Sequence, residues 1–105
     1  MERTSETRSD TVELENRIDE AVMSFIIDMK YKLRMNNHKG HWMTYSWTNL
    51  LHRLKDEVAE LHQVMPISGE WSPNKRELMA VVHECADVAN FAMMIADNAK
   101  RRLRE

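Results

Sequence analysis

Residues 50–65 read "LLHRLKDEVAELHQVM", and the winding of that stretch decides the fold. Leu50, Leu51, Leu54, Val58, Leu61 and Met65 recur every three or four residues, the spacing of one buried helix face. Ser46 is placed to cap the start, and Pro66 and Gly69 stop the helix. On a wheel of about 100° per residue with Leu50 at zero, Leu54 falls near +40°, Leu61 near +20°, Val64 near -40° and Glu57 at about -20°. Glu57 therefore lies inside the apolar stripe, with Glu60 at its edge. An isolated carboxylate in such a seam is costly unless a cation or water meets it, and otherwise it takes up a proton.

Two more helices flank this one. Upstream, Leu14, Ile18, Val22, Phe25, Met29 and Leu33 form a stripe that stops at "MNNHKG", residues 35–40, and Asp10 with Glu13 has the spacing of a capping box. Residues 1–10 then read as a polar tail before a single domain spanning 1–105. Downstream, "WSPNKREL" opens a third helix with Ser72 as cap and Pro73 at its first position, running to the basic end "KRRLRE". Its main apolar stripe is Leu78, Val82, Cys85, Ala89, Ala92, Ala96 and Leu103, while the opposite face carries Glu84, Asp87, Phe91 and Met94. A helix apolar on two sides is sandwiched, and three helices in so small a chain leave one side for a partner chain.

Composition agrees with an all-α bundle of three main helices completed by oligomerisation. The 105 residues include only two Gly and two Pro, with 43% hydrophobic and 30% charged side chains, enough for one modest core. Nine Met favour an adaptable interior. A net charge of -2 gives no electrostatic reason to expect nucleic acid. The single Cys85 excludes an internal disulfide and a cysteine-built zinc site. No run approaches the roughly 18 apolar residues of a membrane span, and the N-terminus lacks the apolar core of a signal peptide, so a cytoplasmic chain is expected.

Glu57 and Glu60 are spaced i, i+3, as are Glu84 and Asp87, so each pair stacks on one helix face. On exposed faces such pairs are ordinary solvated surface. Here both share a face with apolar neighbours, and four carboxylates on facing helices suit a hard divalent cation, magnesium or manganese. A di-iron bundle wants Glu-x-x-His on two helices, and no such tetrad occurs.

"EVAE" at 57–60 and "ECAD" at 84–87, with 23 residues between them, resemble the Glu-x-x-Glu and Glu-x-x-Asp motifs of the all-α nucleoside triphosphate pyrophosphohydrolases. These include MazG-like enzymes, dimeric dUTPases and dCTP pyrophosphatases. The resemblance covers roughly residues 12–100 and is nearest to small single-domain MazG-like proteins of phage and mobile-element type. It implies hydrolysis of a nucleoside triphosphate between the α and β phosphates, with Glu57, Glu60, Glu84 and Asp87 holding Mg²⁺, or Mn²⁺ in its place. By the same resemblance Glu60, with Glu57 beside it, is the candidate for orienting or deprotonating the attacking water, and the assembly is a homodimer or homotetramer.

The base pocket is harder to read. "NNHKGHWMTYSWTNLL", residues 36–51, is dense in groups that stack or hydrogen-bond. Family members often hold the base with aromatic and polar residues from this region, which implies His38, Trp42 and Trp47, and Asn49 lines up with an Asn of dCTP pyrophosphatase-like members. The competing reading is that Trp42 and Trp47 staple the loop to the core. His38 and His41 lack the further ligands a zinc site requires. Asn90, one turn from Asp87, and Lys39 in the loop are within reach of a phosphate chain, whereas Arg101 sits about 21 Å from Asp87 along the axis. Two rival functions stand beside this one: a non-catalytic oligomeric helical adaptor, and phosphoribosyl-ATP pyrophosphohydrolase with the same metal logic.

Overall fold

The computed structural model describes residues 2–36 and 42–105, with side chains from residue 8 onward. Three helices carry the chain: α1 (Glu2–Asn36), α2 (Trp47–Val64) and α3 (Lys75–Leu103), with a 3₁₀ turn at Trp42–Thr44. No strand occurs among the described residues, so the all-α expectation holds. α3 is the central helix, packed against α2 on one side and α1 on the other, with the 3₁₀ turn set against it.

The caps explain two of the three helix starts. Ser46 Oγ accepts the Asn49 N–H at 3.2 Å and begins α2 where the sequence places it. The turn after α2 closes when the Gly69 N–H donates to Pro66 O at 3.2 Å, with Gly69 at φ 81°, a conformation that favours glycine. α3 starts two residues later than expected: Asn74 is the cap, its Oδ1 accepting from the N–H of Arg76 at 2.8 Å and of Glu77 at 3.2 Å. Ser72 Oγ instead accepts from the Asn74 N–H and donates to the Glu77 carboxylate, bracing the turn. α1 is helical from Glu2 rather than from Asp10, because "ERTSETRS" contains no Gly or Pro to stop it.

The core is small. Leu50, Phe91 and Met94 are its buried cluster, with Leu33, Trp42, Leu54, Met93 and Ile95 packed around them. Val58, expected on the buried side of α2, is 48% exposed, since it lies at the stripe's margin beyond the reach of α3. α3 inverts the expected order of its two faces. The side carrying Asp87, Phe91 and Met94 is the buried one, whereas Ala92 and Ala96 of the longer apolar stripe are exposed and Leu103 is 85% exposed. An 18-residue window of α3 has a mean hydropathy of 1.4, so by length and composition α3 is long and apolar enough to cross a membrane. The sequence expectation counted uninterrupted apolar residues, and Glu84 and Asp87 break that run.

α1 is the least covered element. Its stripe packs on α3 only from Phe25 onward; Leu14, Ile18 and Val22 on the same face are 56%, 45% and 51% exposed.

A candidate carboxylate metal centre

The wheel position of Glu57 becomes a contact with α3. Among the described residues, Glu57, Glu60 and Glu84 each offer a carboxylate oxygen, and the three oxygens lie within 4.8 Å of one another. Glu57 and Glu84 are half-buried and Glu60 is exposed, so the cluster opens to solvent on the Glu60 side. One oxygen each of Glu57 and Glu84, Oε2 in both cases, is buried without a hydrogen-bond partner. Buried acceptors are nearly always paired, which makes two orphaned oxygens side by side an electrostatic vacancy for a cation.

The protonation equilibria carry the same strain. Burial first, then the hydrogen bond and charge of Glu60, then the charges of Asp87 and Glu84, push the Glu57 carboxyl up to about 7. Glu84 is raised as well, by burial and then by Asp87 and Glu60, with Lys32 opposing. Three carboxylates this close do not all ionise comfortably without a positive charge among them. Only oxygen donors face one another here, so the set fits a hard divalent ion and offers a soft metal nothing.

Asp87 is near the cluster but differently engaged. It is 8% exposed, its Oδ2 stands 3.5 Å from Lys32 Nζ, and its Oδ1 accepts from Asn36 Nδ2 at 3.1 Å. Both partners come from α1. The structure thus brings three of the four expected ligands together and holds the fourth behind them in an α1–α3 clasp. Sequence reasoning missed Lys32 and Asn36, although the test that singles out Glu57 also singles them out. With Phe25 at zero on the α1 wheel, Met29 lies near +40°, Lys32 near -20° and Asn36 near +20°, so both polar residues sit in the apolar stripe. Lys32→Met is expected to strand a buried carboxylate and lower stability by about 1–2 kcal/mol, read by urea unfolding; an unchanged midpoint would remove the clasp from the account.

The remaining expected residues divide by place. Asn90 is 2% exposed and donates Nδ2 to Met29 O at 3.0 Å, fastening α3 to α1. Trp42 donates its indole N–H to Asp97 Oδ2 at 3.0 Å while its carbonyl accepts from Asn98 Nδ2 at 3.0 Å, the stapling arrangement. That indole bond, followed by the Arg101 contact at 2.9 Å, holds the Asp97 carboxyl below its ordinary range. Trp47 is 69% exposed and, with Tyr45, Leu50, Ile95, Asn98, Ala99 and Arg102, lines a cleft of about 230 Å³ at the far end of the α2–α3 seam. Asn49 is exposed on the first turn of α2. His38 and Lys39, and the His38–His41 pair weighed for zinc, lie outside the described residues.

Fold and site together define a class: an all-helical bundle whose α2–α3 seam carries a carboxylate cluster with unpartnered oxygens. No protein family model matches the chain, and no curated protein or solved structure matches it.

Proposed function

We propose that the chain is a MazG-like, magnesium-dependent nucleoside triphosphate pyrophosphohydrolase. The observation that carries the reading is the pair of buried, unpartnered carboxylate oxygens of Glu57 and Glu84, with Glu60 beside them at the open side. Glu57, Glu60 and Glu84 would hold the cation, and Asp87, anchored by Lys32 and Asn36, adds negative potential behind it. Mg²⁺ bound there supplies charge neutralisation for a polyphosphate and activation of a water.

The protein's own contributions follow from position. Glu60, exposed next to the cluster, accepts the proton as water oxygen bonds to phosphorus and the anhydride oxygen departs with pyrophosphate. Trp47 and Tyr45 lie ten and twelve residues before Glu57; Trp47 is about 15 Å from it along α2, the scale of an extended nucleotide. A base laid against the Trp47 ring would leave its phosphates at the carboxylates. The bundle is completed by further copies of the chain, a homodimer or homotetramer.

The test is product analysis across ribo- and deoxynucleoside triphosphates with Mg²⁺. The proposal expects monophosphate and pyrophosphate in equal amounts. Release of inorganic phosphate would assign a different reaction, and no turnover of any nucleotide would favour the non-catalytic adaptor. Trp47→Ala is expected to raise KM about tenfold with kcat little changed, the mark of lost ground-state binding. An unchanged KM would place the base elsewhere.

A further inference from the structure

One chain leaves two apolar surfaces without a neighbour, and they are complementary. The first is the N-terminal half of α1, where Leu14, Ile18 and Val22 continue the stripe that Phe25 and Met29 bury against α3. The second is an apolar groove between α1 and the start of α3, about 410 Å³, bounded by Ala21, Ser24, Phe25, Trp71, Leu78 and Val82. Trp71 on its rim is 71% exposed.

The size of the exposed surface identifies the occupant. A compact monomer of 12.4 kDa has an accessible surface of about 6,100 Å² by the usual scaling. This chain exposes 8727 Å². Its radius of gyration is 17.9 Å, against about 13 Å for a compact domain of this length. The excess, about 2,600 Å² per chain, is several times the roughly 800 Å² that each partner contributes to a stable interface. A surplus that large, divided between a protruding stripe and a groove of the same chain, fits reciprocal pairing about a two-fold axis. Charge agrees: residues 8–20 hold five acidic and two basic side chains, while α3 begins beside the groove with Lys75 and Arg76.

We infer that a second copy of the chain docks here, the Leu14–Ile18–Val22 stripe of each copy seating in the groove of the other. This inference stands on packing alone and does not depend on the catalytic proposal. It differs from a stripe-on-stripe dimer because each contact pairs unlike surfaces.

The experiment is sedimentation of the full chain at about 1–100 µM with two variants at positions exposed in the single chain. Ile18→Glu spoils the stripe and Ser24→Arg blocks the groove. Wild type is expected to sediment as a dimer or an even multiple of it, and each variant to weaken association by at least about 30-fold. Mixing the two variants is then expected to restore association in part, since one intact stripe meets one intact groove. Should either variant fold poorly, Trp71→Ala tests the groove rim with a side chain that supports little within the single chain. A monomeric wild type, variants that associate as wild type does, or a mixture that gains nothing would overturn the inference.

Discussion

Glu57→Gln is expected to lower pyrophosphate release by about 10³-fold, roughly 4 kcal/mol of transition-state stabilisation, while making the metal-free protein more stable. The opposite signs are the point of the substitution. Glutamine keeps the shape of the side chain and removes the charge that burial and Glu60 oppose, so the folded chain is relieved of the repulsion holding the Glu57 carboxyl near 7. The same change removes one of the two orphaned oxygens that define the cation position. A non-catalytic bundle shares only the stability gain. Nucleotide turnover kinetics and thermal melts on one preparation separate the two, and full activity in the variant would end the catalytic reading.

The second large effect is a dependence of stability on pH that runs opposite to the familiar behaviour of salt-bridged carboxylates. Glu57 has a folded pKa of about 7, above its unfolded value of 4.5. Below 4.5 both states hold the proton and the group contributes nothing. As pH rises from 4.5 to 7 the unfolded state releases its proton while the folded state retains it, so stability is lost across that window and levels off above it. Glu84 is raised too and acts in the same direction. Allowing for solvent screening of a partly exposed site, the loss is on the order of 2 kcal/mol, or about 10 °C in Tm for a domain of this size. Melts in EDTA at pH 5 and pH 8 read it directly. Millimolar Mg²⁺ is expected to recover most of the loss at pH 8, because a ligand of the folded state alone stabilises it. A Tm that climbs with pH in EDTA would show that the carboxylates are relieved by some other charge.

Much of this arrangement was legible from spacing alone. The period of three to four residues marks the three helices, Ser46 caps α2 as its position suggests, and Glu57 meets α3 as its wheel angle requires. What spacing does not carry is which neighbour covers which face. α3 reads as apolar on two sides, and only the packing shows that the side with carboxylates is covered within the chain. Lys32 and Asn36 were missed for a related reason. Their partner, Asp87, is more than fifty residues away in sequence, and a polar residue in a stripe announces a need without naming its counterpart. Local chemistry misled at the helix starts as well. Ser72 has the right type to cap α3, yet Asn74 is closer to the first turn and takes both free N–H groups, while Ser72 bonds to Glu77. The Asp10–Glu13 spacing falls inside a helix already begun at Glu2.

The claim on which the account rests is that a divalent cation occupies the space among Glu57, Glu60 and Glu84. Titrating the protein with Mn²⁺ at pH 7.5 and following free Mn²⁺ by its electron paramagnetic resonance signal tests it most directly. The account predicts saturable loss of signal that Mg²⁺ reverses and that Glu57→Gln and Glu84→Gln each weaken by at least about tenfold. A free-ion signal that grows in proportion to added Mn²⁺, equally with wild type and both variants, would contradict it.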